Sequence, residues 1–236
     1  MKIIKQDKSV IPSLDVDTIE RMREIVEETC SIDGIGAYKI GFELVIPYGM
    51  QQVTQTIREI TDIPIIYDHQ KAATDIPDTG LKFVQACKKS GADAVIFFPQ
   101  SGPATELEWI KAANEEAMPV IVGGEMTHPK YMASDEGFIS DDAPRRIYEI
   151  AARNGVLDFV VPGNKPERIM YYRHLLESLV VKPTLYSPGL ISQGGKLSES
   201  AKAAGERWHA IIGRAIYNAK NIKAEAAEIC KALMEK

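Results

Sequence analysis

The chain has 236 residues, 45% of them hydrophobic and 26% charged, with 17 Gly and 13 Pro. That balance is the one found in ordinary globular proteins, and it excludes a disordered chain or a collagen-like repeat. With 28 Lys and Arg against 33 Asp and Glu, the formal charge of -5 excludes a general nucleic-acid binder while leaving room for a local anion site.

No apolar run approaches the roughly 20 residues that span a bilayer. The opening MKIIKQDKSV lacks the apolar stretch and small-residue cleavage site of a secretory signal, so we expect a cytoplasmic protein with no membrane partner. Cys30, Cys87 and Cys230 lie far apart without CxxC or Cys/His spacing, and all three read as small buried hydrophobes.

From the N-terminus onward, short β-branched runs alternate with longer stretches of helical period. The expected strands are VIPSLDV (10–16), AYKIGFE (37–43), PIIYDHQ (64–70), ADAVIFFP (92–99), MPVIVGGEM (118–126), DFVVPG (158–163), TLYSPGL (184–190) and AIIGRAI (210–216). Between them, Ile19, Met22 and Val26 form one helical stripe, and Leu81, Val84 and Cys87 form another. Asp17, Thr79 and Ser140 are expected N-caps. Strands covered on both faces by crossover helices read as continuous apolar runs, as AVIFF and PVIV do. Eight β-then-α units therefore predict an α/β fold, a (β/α)8 TIM barrel spanning residues 1–236 as a single domain. A doubly wound open sheet is the alternative. Such sheets usually have fewer strands and often carry a Gly-rich nucleotide loop after the first, whereas the first strand here ends in Asp15 with no GxGxxG.

In a barrel of this kind the active site lies at the C-terminal ends of the strands. The residues collected there are Asp15, Lys39, Asp68, Lys71, Asp75, Thr127, Gln193 and Arg214. Any one of them is equally explained as a solvated or salt-bridged side chain; their convergence is what points to a site. YSPGLISQGGKLSES followed by IIGRAI reads as the anion site, because Gly189, Gly194, Gly195 and Gly213 let backbone N–H groups approach an anion closely. Arg214 adds a planar cation suited to a bidentate phosphate contact. IIYDHQKAATDIPDTG places two carboxylates and an ammonium at the end of the third strand, beside Lys39. Such an array holds a lysine protonated while setting negative charge beside a substrate anion; it also balances itself as a plain salt-bridge network. It requires no metal, and His69, His128, His174 and His209 show no ligand spacing. His69 and His128 lie near strand ends, while His174 and His209 read as helix-region residues.

Taken in order, LDV with Asp15, YKIG with Lys39, the DHQKAATDIPDT block, GEMTHP with Thr127, and SPGLISQGG leading to IIGRAIY resemble the orotidine 5'-phosphate decarboxylase family from Leu14 to Tyr217. The resemblance implies a (β/α)8 barrel, a homodimer with shared active sites, and cofactor-free, metal-free conversion of orotidine 5'-phosphate to UMP. By the same resemblance, Asp15 and Lys39 bind ribose hydroxyls with Lys39 paired to Asp68, and Lys71 donates the proton. Asp75, Ile76 and Thr79 serve the partner's site. Thr127 stands where the family commonly has a pyrimidine-contacting Ser, Gln193 bridges phosphate and base, and Gly213 with Arg214 holds the phosphate. One departure stands out, since the family pattern DxKxxD is here DxxKxxxD, with Asp68, Lys71 and Asp75. Strand positions i and i+2 share a face and i and i+3 do not, so a bulge or tight helical turn is expected between Asp68 and Lys71. Two alternatives stay open. One is a metal-dependent sugar-phosphate lyase or decarboxylase of the same barrel suprafamily, which the SPG…QGG and GEMTHP pieces argue against. The other is a non-catalytic nucleotide-phosphate binding protein that keeps Arg214 and Gln193.

Overall fold

The computed structural model describes residues 2–179, 182–192 and 194–234, apart from the side chains of Gln70 and Lys71. Eight parallel strands, β1 (Lys8–Pro12), β2 (Tyr38–Ile40), β3 (Ile65–Ala72), β4 (Ala94–Phe97), β5 (Val120–Gly123), β6 (Asp158–Val160), β7 (Thr184–Ser187) and β8 (Trp208–Ile212), run in the order β1-β8-β7-β6-β5-β4-β3-β2. Around them lie α1 (Ile19–Thr29), α2 (Phe42–Tyr48), α3 (Met50–Arg58), α4 (Gly80–Lys89), α5 (Pro103–Glu115), α6 (Ala143–Arg153), α7 (Pro166–Leu179), α8 (Leu197–Ala204), α9 (Arg214–Tyr217) and α10 (Ile222–Met234). Every expected strand is present. All but the third stop short of their expected C-terminal ends, because the polar residues and glycines that close each run leave the ladder for the loops.

β1 and β2 close the barrel through isolated bridges, Val10 with Ile35 and Ser13 with Lys39. Gly36 N donates to Val10 O at 3.0 Å and Leu14 N to Lys39 O at 2.8 Å. The approach requires glycine at 36, where a Cβ would stand 2.2 Å from Ser9 Oγ.

Strand alternation divides the core in two. Val10, Tyr67, Val95, Phe97 and Val122 face the helices, packed in one cluster with Met22, Val26, Trp109 and Tyr172. Their neighbours Ile11, Ile66, Ile96 and Ile121 fill the barrel interior with Phe98, Val160, Tyr186 and Ile211, joined by Ile3 and Ile4 from ahead of β1. At the N-terminal end of the strands the interior is polar. Ser9 Oγ and His209 Nδ1 lie 2.8 Å apart, and the Tyr186 hydroxyl donates to Asp158 Oδ1 at 2.9 Å. His209 is thus an interior residue of β8, not a helix-region one: the expected strand began one residue too late to include it.

Three helix details also differ from expectation. α1 is capped by Thr18, whose Oγ1 accepts from Arg21 N, rather than by Asp17, and the residue at the N-terminal boundary of α6 is Asp142 rather than Ser140, with its carboxylate accepting from Arg145 Nε and not from the helix backbone. Thr79 does precede α4, but its hydroxyl donates to Ile76 O. Leu81 is exposed; Gly80 takes the inward place, so close to Trp109 that a Cβ would lie 2.7 Å from the indole. Cys87 and Cys230 are buried as expected, whereas Cys30 is half-buried, and all three are free thiols. Among the described residues, no helix is long and apolar enough to cross a membrane.

Candidate active site

The C-terminal ends of the strands surround a cavity of about 240 Å³ whose wall includes Asp15, Lys39, Asp68, Thr127, Gly213 and Arg214. These come from opposite sides of the barrel, and the loops after β1, β5 and β8 converge with the interior faces of β2 and β3. The most ordered part is a carboxylate-ammonium-carboxylate array. Lys39, only 5% exposed, places Nζ 3.1 Å from Asp15 Oδ1 and 3.3 Å from Asp68 Oδ2. Ser13 Oγ donates to the other Asp15 oxygen at 2.6 Å. The order of the strands explains the meeting, because β1, β2 and β3 are consecutive around the closed barrel and each presents an interior position at the same height. Burial works against the charge of Lys39, but the carboxylates of Asp68 and Asp15 together outweigh it and hold its pKa above that of an ordinary lysine. The ammonium is therefore a fixed cation, able to orient hydroxyl groups and unsuited to giving up a proton.

The expected irregularity in β3 is present and reaches as far as Ala72. Asp68 pairs with Ile96 of β4, and the next pair is Ala72 with Phe97, so His69, Gln70 and Lys71 form a bulge between them. Phe98 N donates to Ala72 O at 2.8 Å, fixing the far side of the bulge, and Ala73 follows with φ of 66°. The bulge breaks the two-residue period at the position where the longer Asp-to-Lys spacing would otherwise put Lys71 on the wrong face. The side chain of Lys71, and the whole of Gln193, lie outside the described residues.

Asp75, Ile76 and Thr79 are not in the wall of this cavity. Their backbone is pinned to α5, with Thr105 Oγ1 donating to Asp75 O at 2.9 Å and Trp109 Nε1 to Ile76 O at 3.1 Å, while Ile76 is 58% exposed. His69 and His128 are exposed and do not line the cavity either.

Beside β1, β8 leads through Gly213 into α9, which begins with the exposed Arg214. Pro188, Gly189, Leu190 and Ser192 approach from the loop after β7. Of the four glycines expected at the anion site, Gly189 and Gly213 line the cavity, and Gly194 and Gly195 do not. A Cβ on Gly195 would lie 2.8 Å from the carbonyl oxygens of both Gly163 and Gly189, so this glycine lets the loop after β7 pack closely on itself and on the loop after β6.

Sequence reasoning gave no role to Ser13, Tyr217 or Glu125, all in the cavity wall. Glu125 is 3% exposed, with Lys165 Nζ 2.9 Å from one oxygen and Arg168 Nε 2.7 Å from the other. Burial alone would raise its pKa, but hydrogen bonds from Tyr172, Lys165 and Arg168 hold it below the usual carboxylate value. GEMTHP contained the residue; its cationic partners, forty residues away, gave no local signal.

Residues 8–229 match the Orotidine 5'-phosphate decarboxylase / HUMPS family. The chain belongs to that family. It is 30% identical over 230 residues to the orotidine 5'-phosphate decarboxylase of Thermococcus kodakarensis, covering 98% of this chain and 99% of that protein. To the Methanosarcina barkeri protein of the same name it is 32% identical over 227 residues, covering 96% and 95%. Among solved structures, orotidine 5'-monophosphate decarboxylase from Methanocaldococcus jannaschii complexed with inhibitor BMP superimposes with a TM-score of 0.83 at 28% identity, covering 96% of this chain and 98% of that one. The Pyrococcus horikoshii enzyme gives 0.79 at 30% identity, covering 95% and 99%. The eight-stranded barrel is thus the family's barrel over nearly its whole length.

Proposed function

We propose that this family member decarboxylates orotidine 5'-phosphate to UMP in pyrimidine synthesis, without a cofactor. The observation that carries the reading is the Asp15-Lys39-Asp68 array sharing one cavity with Gly213 and Arg214, in a chain whose curated relatives bear the decarboxylase name. A charged diol-binding array and a guanidinium in the same cavity suit the hydroxyls and the phosphate of one ribose 5'-phosphate.

In the reaction the C6–carboxylate bond breaks, CO2 leaves, and the electron pair stays on C6 in the ring plane, where the π system cannot delocalise it. A nearby cation stabilises that pair, and a proton must follow. We assign both tasks to Lys71, which gives its proton to C6 and regains one from water. Asp68, with Asp75 of the partner subunit, keeps Lys71 charged and placed. Asp15 and Lys39 hold the ribose hydroxyls, Thr127 the pyrimidine, and Gly213 with Arg214 the phosphate, while Gln193 bridges phosphate and base. A unit-charge pair at ~4 Å is worth about 4 kcal/mol at an effective dielectric near 20. Large enzymatic accelerations need up to roughly 23 kcal/mol, so binding energy at the remote phosphate must also be used in the transition state.

The same reading makes residues 1–236 one barrel domain and the protein a homodimer, with Asp75, Ile76 and Thr79 completing the partner's site. Their place on the rim, outside their own cavity, supports this. Three free thiols suit the reducing cytoplasm. The test is to mix the protein with orotidine 5'-phosphate in excess chelator and follow the ultraviolet change. Conversion to UMP at an undiminished rate is expected; a metal requirement, or binding without turnover, overturns the reading.

A further inference from the structure

The strand-end segment that carries Thr127 is held from outside the barrel by the start of α7. Tyr131 donates its hydroxyl to Gly124 O at 3.0 Å. Lys165 Nζ donates both to Glu125 Oε1 at 2.9 Å and to Met126 O at 3.1 Å. Arg168 Nε donates to Glu125 Oε2 at 2.7 Å, and the Tyr172 hydroxyl donates to the same oxygen. Finally, Asn164 Nδ2 donates to Thr127 O at 3.0 Å. The carbonyls of three residues in a four-residue segment are thus fixed, and the carboxylate in its middle has both oxygens engaged.

Net stability is a poor explanation for this arrangement. A buried ion pair recovers little beyond its own desolvation cost, and an apolar replacement of similar volume often serves as well. What such a polar network supplies is rigidity: both oxygens of Glu125 are engaged, and among the described residues only Asn164 Oδ1 within it is buried without a partner. Arg168 adds to it by lying over the rings of Tyr171 and Tyr172, 5.1 and 4.8 Å from their centres.

We infer that Glu125 is a positioning residue which, with Lys165 and Asn164, fixes the loop after β5 so that Thr127 meets the pyrimidine in a single geometry. The inference rests on the decarboxylase reading above. Its physical basis is that a misplacement of ~1 Å in a positioned group costs on the order of 100-fold in rate; Glu125 borders the cavity, but both its oxygens are already engaged by Lys165, Arg168 and Tyr172.

A double-mutant cycle tests it. Thr127→Ala and Glu125→Gln should each lower kcat/KM, by about 10- to 100-fold for Glu125→Gln. In the Thr127→Ala background, Glu125→Gln should cost no more than about twofold, because the group it positions is gone. A cost equal in both backgrounds overturns the proposal and leaves the decarboxylase assignment standing, as does a Thr127→Ala variant with unchanged kcat/KM. A wild-type protein inert toward orotidine 5'-phosphate sinks the decarboxylase assignment itself, and this one with it. Should Glu125→Gln fail to fold by circular dichroism, Asn164→Ala takes its place in the cycle. Coupling to Thr127 is again expected, and simple additivity again overturns the proposal.

Discussion

Asp68 and Ala72 lie four residues apart in the chain, yet their partners on β4, Ile96 and Phe97, are adjacent. The bulge between them is the structural counterpart of the expanded DxxKxxxD spacing. If it serves to aim Lys71, Lys71→Ala should lower kcat by at least about 10⁴-fold, removing both the proton donor and the cation beside C6. UMP should still bind measurably by calorimetry. Substantial residual turnover would mean that another group protonates C6.

Arg214 follows β8, which pairs with β1 beside the Asp15 end of the Asp15-Lys39-Asp68 array, and touches no reacting atom under the proposed mechanism. Arg214→Ala should nevertheless reduce kcat/KM for orotidine 5'-phosphate by roughly 10²- to 10⁴-fold, through loss of charge-assisted bonds to the phosphate. Turnover of orotidine, which lacks the phosphate, should be unaffected. A near-normal value with the full substrate removes the phosphate assignment.

The polar floor of the barrel makes stability depend on pH in two opposing ways. Burial pushes His209 down to about 3 from 6.5. The unfolded chain therefore binds a proton that the folded one refuses, and this contribution is lost as pH falls from 6.5 toward 3. Burial likewise pushes Asp158 up from 3.8 to about 6. Here the folded chain holds the extra proton, so stability falls as pH rises from about 4 to 6. His209 has the larger shift and should dominate the acid limb. Asp158→Asn should raise stability at pH 7.5 by about 2–3 kcal/mol and change it little at pH 3. Urea titrations at the two pH values measure this; equal shifts at both would contradict it.

Glu106 of α5 is 2% exposed, and its Oε1 has no hydrogen-bond partner among the described residues. Burial raises its pKa from 4.5 to about 8. The folded state therefore favours the protonated acid, and stability should decline as pH rises from 4.5 through 8. Glu106→Gln should remove that decline, so thermal melts at pH 6 and pH 8.5 should differ less in the variant than in the wild type. An unchanged difference would show that Glu106 is ionised without penalty.

Much of this architecture was legible in the amino-acid order because parallel strands buried on both faces leave long apolar runs, and because polar residues at their ends stand out. Asp15, Lys39, Asp68, Thr127, Gly213 and Arg214 were found on those grounds and do line one cavity. The bulge was predictable from the spacing set against the DxKxxD pattern of the family the chain resembles, since two-residue alternation cannot otherwise absorb the longer interval. Less visible were pairings across long stretches of chain. Glu125 looks like a loop residue until α7 supplies its cations, and His209 looks like part of a helix until Ser9 and Tyr186 enclose it. Of the stripe expected in α4, Val84 and Cys87 are buried, but at the first turn Gly80 and not Leu81 packs inward, against Trp109.

The pairing of β1 with β8 has a consequence for how the protein is made. Ser9 and His209, which meet in the barrel floor, are separated by 200 residues. On the ribosome, the first strand emerges long before the one that will lie beside it, and Ile3 and Ile4 must wait as long for the interior they fill. A nascent chain of this kind stays open along one side until synthesis is almost complete.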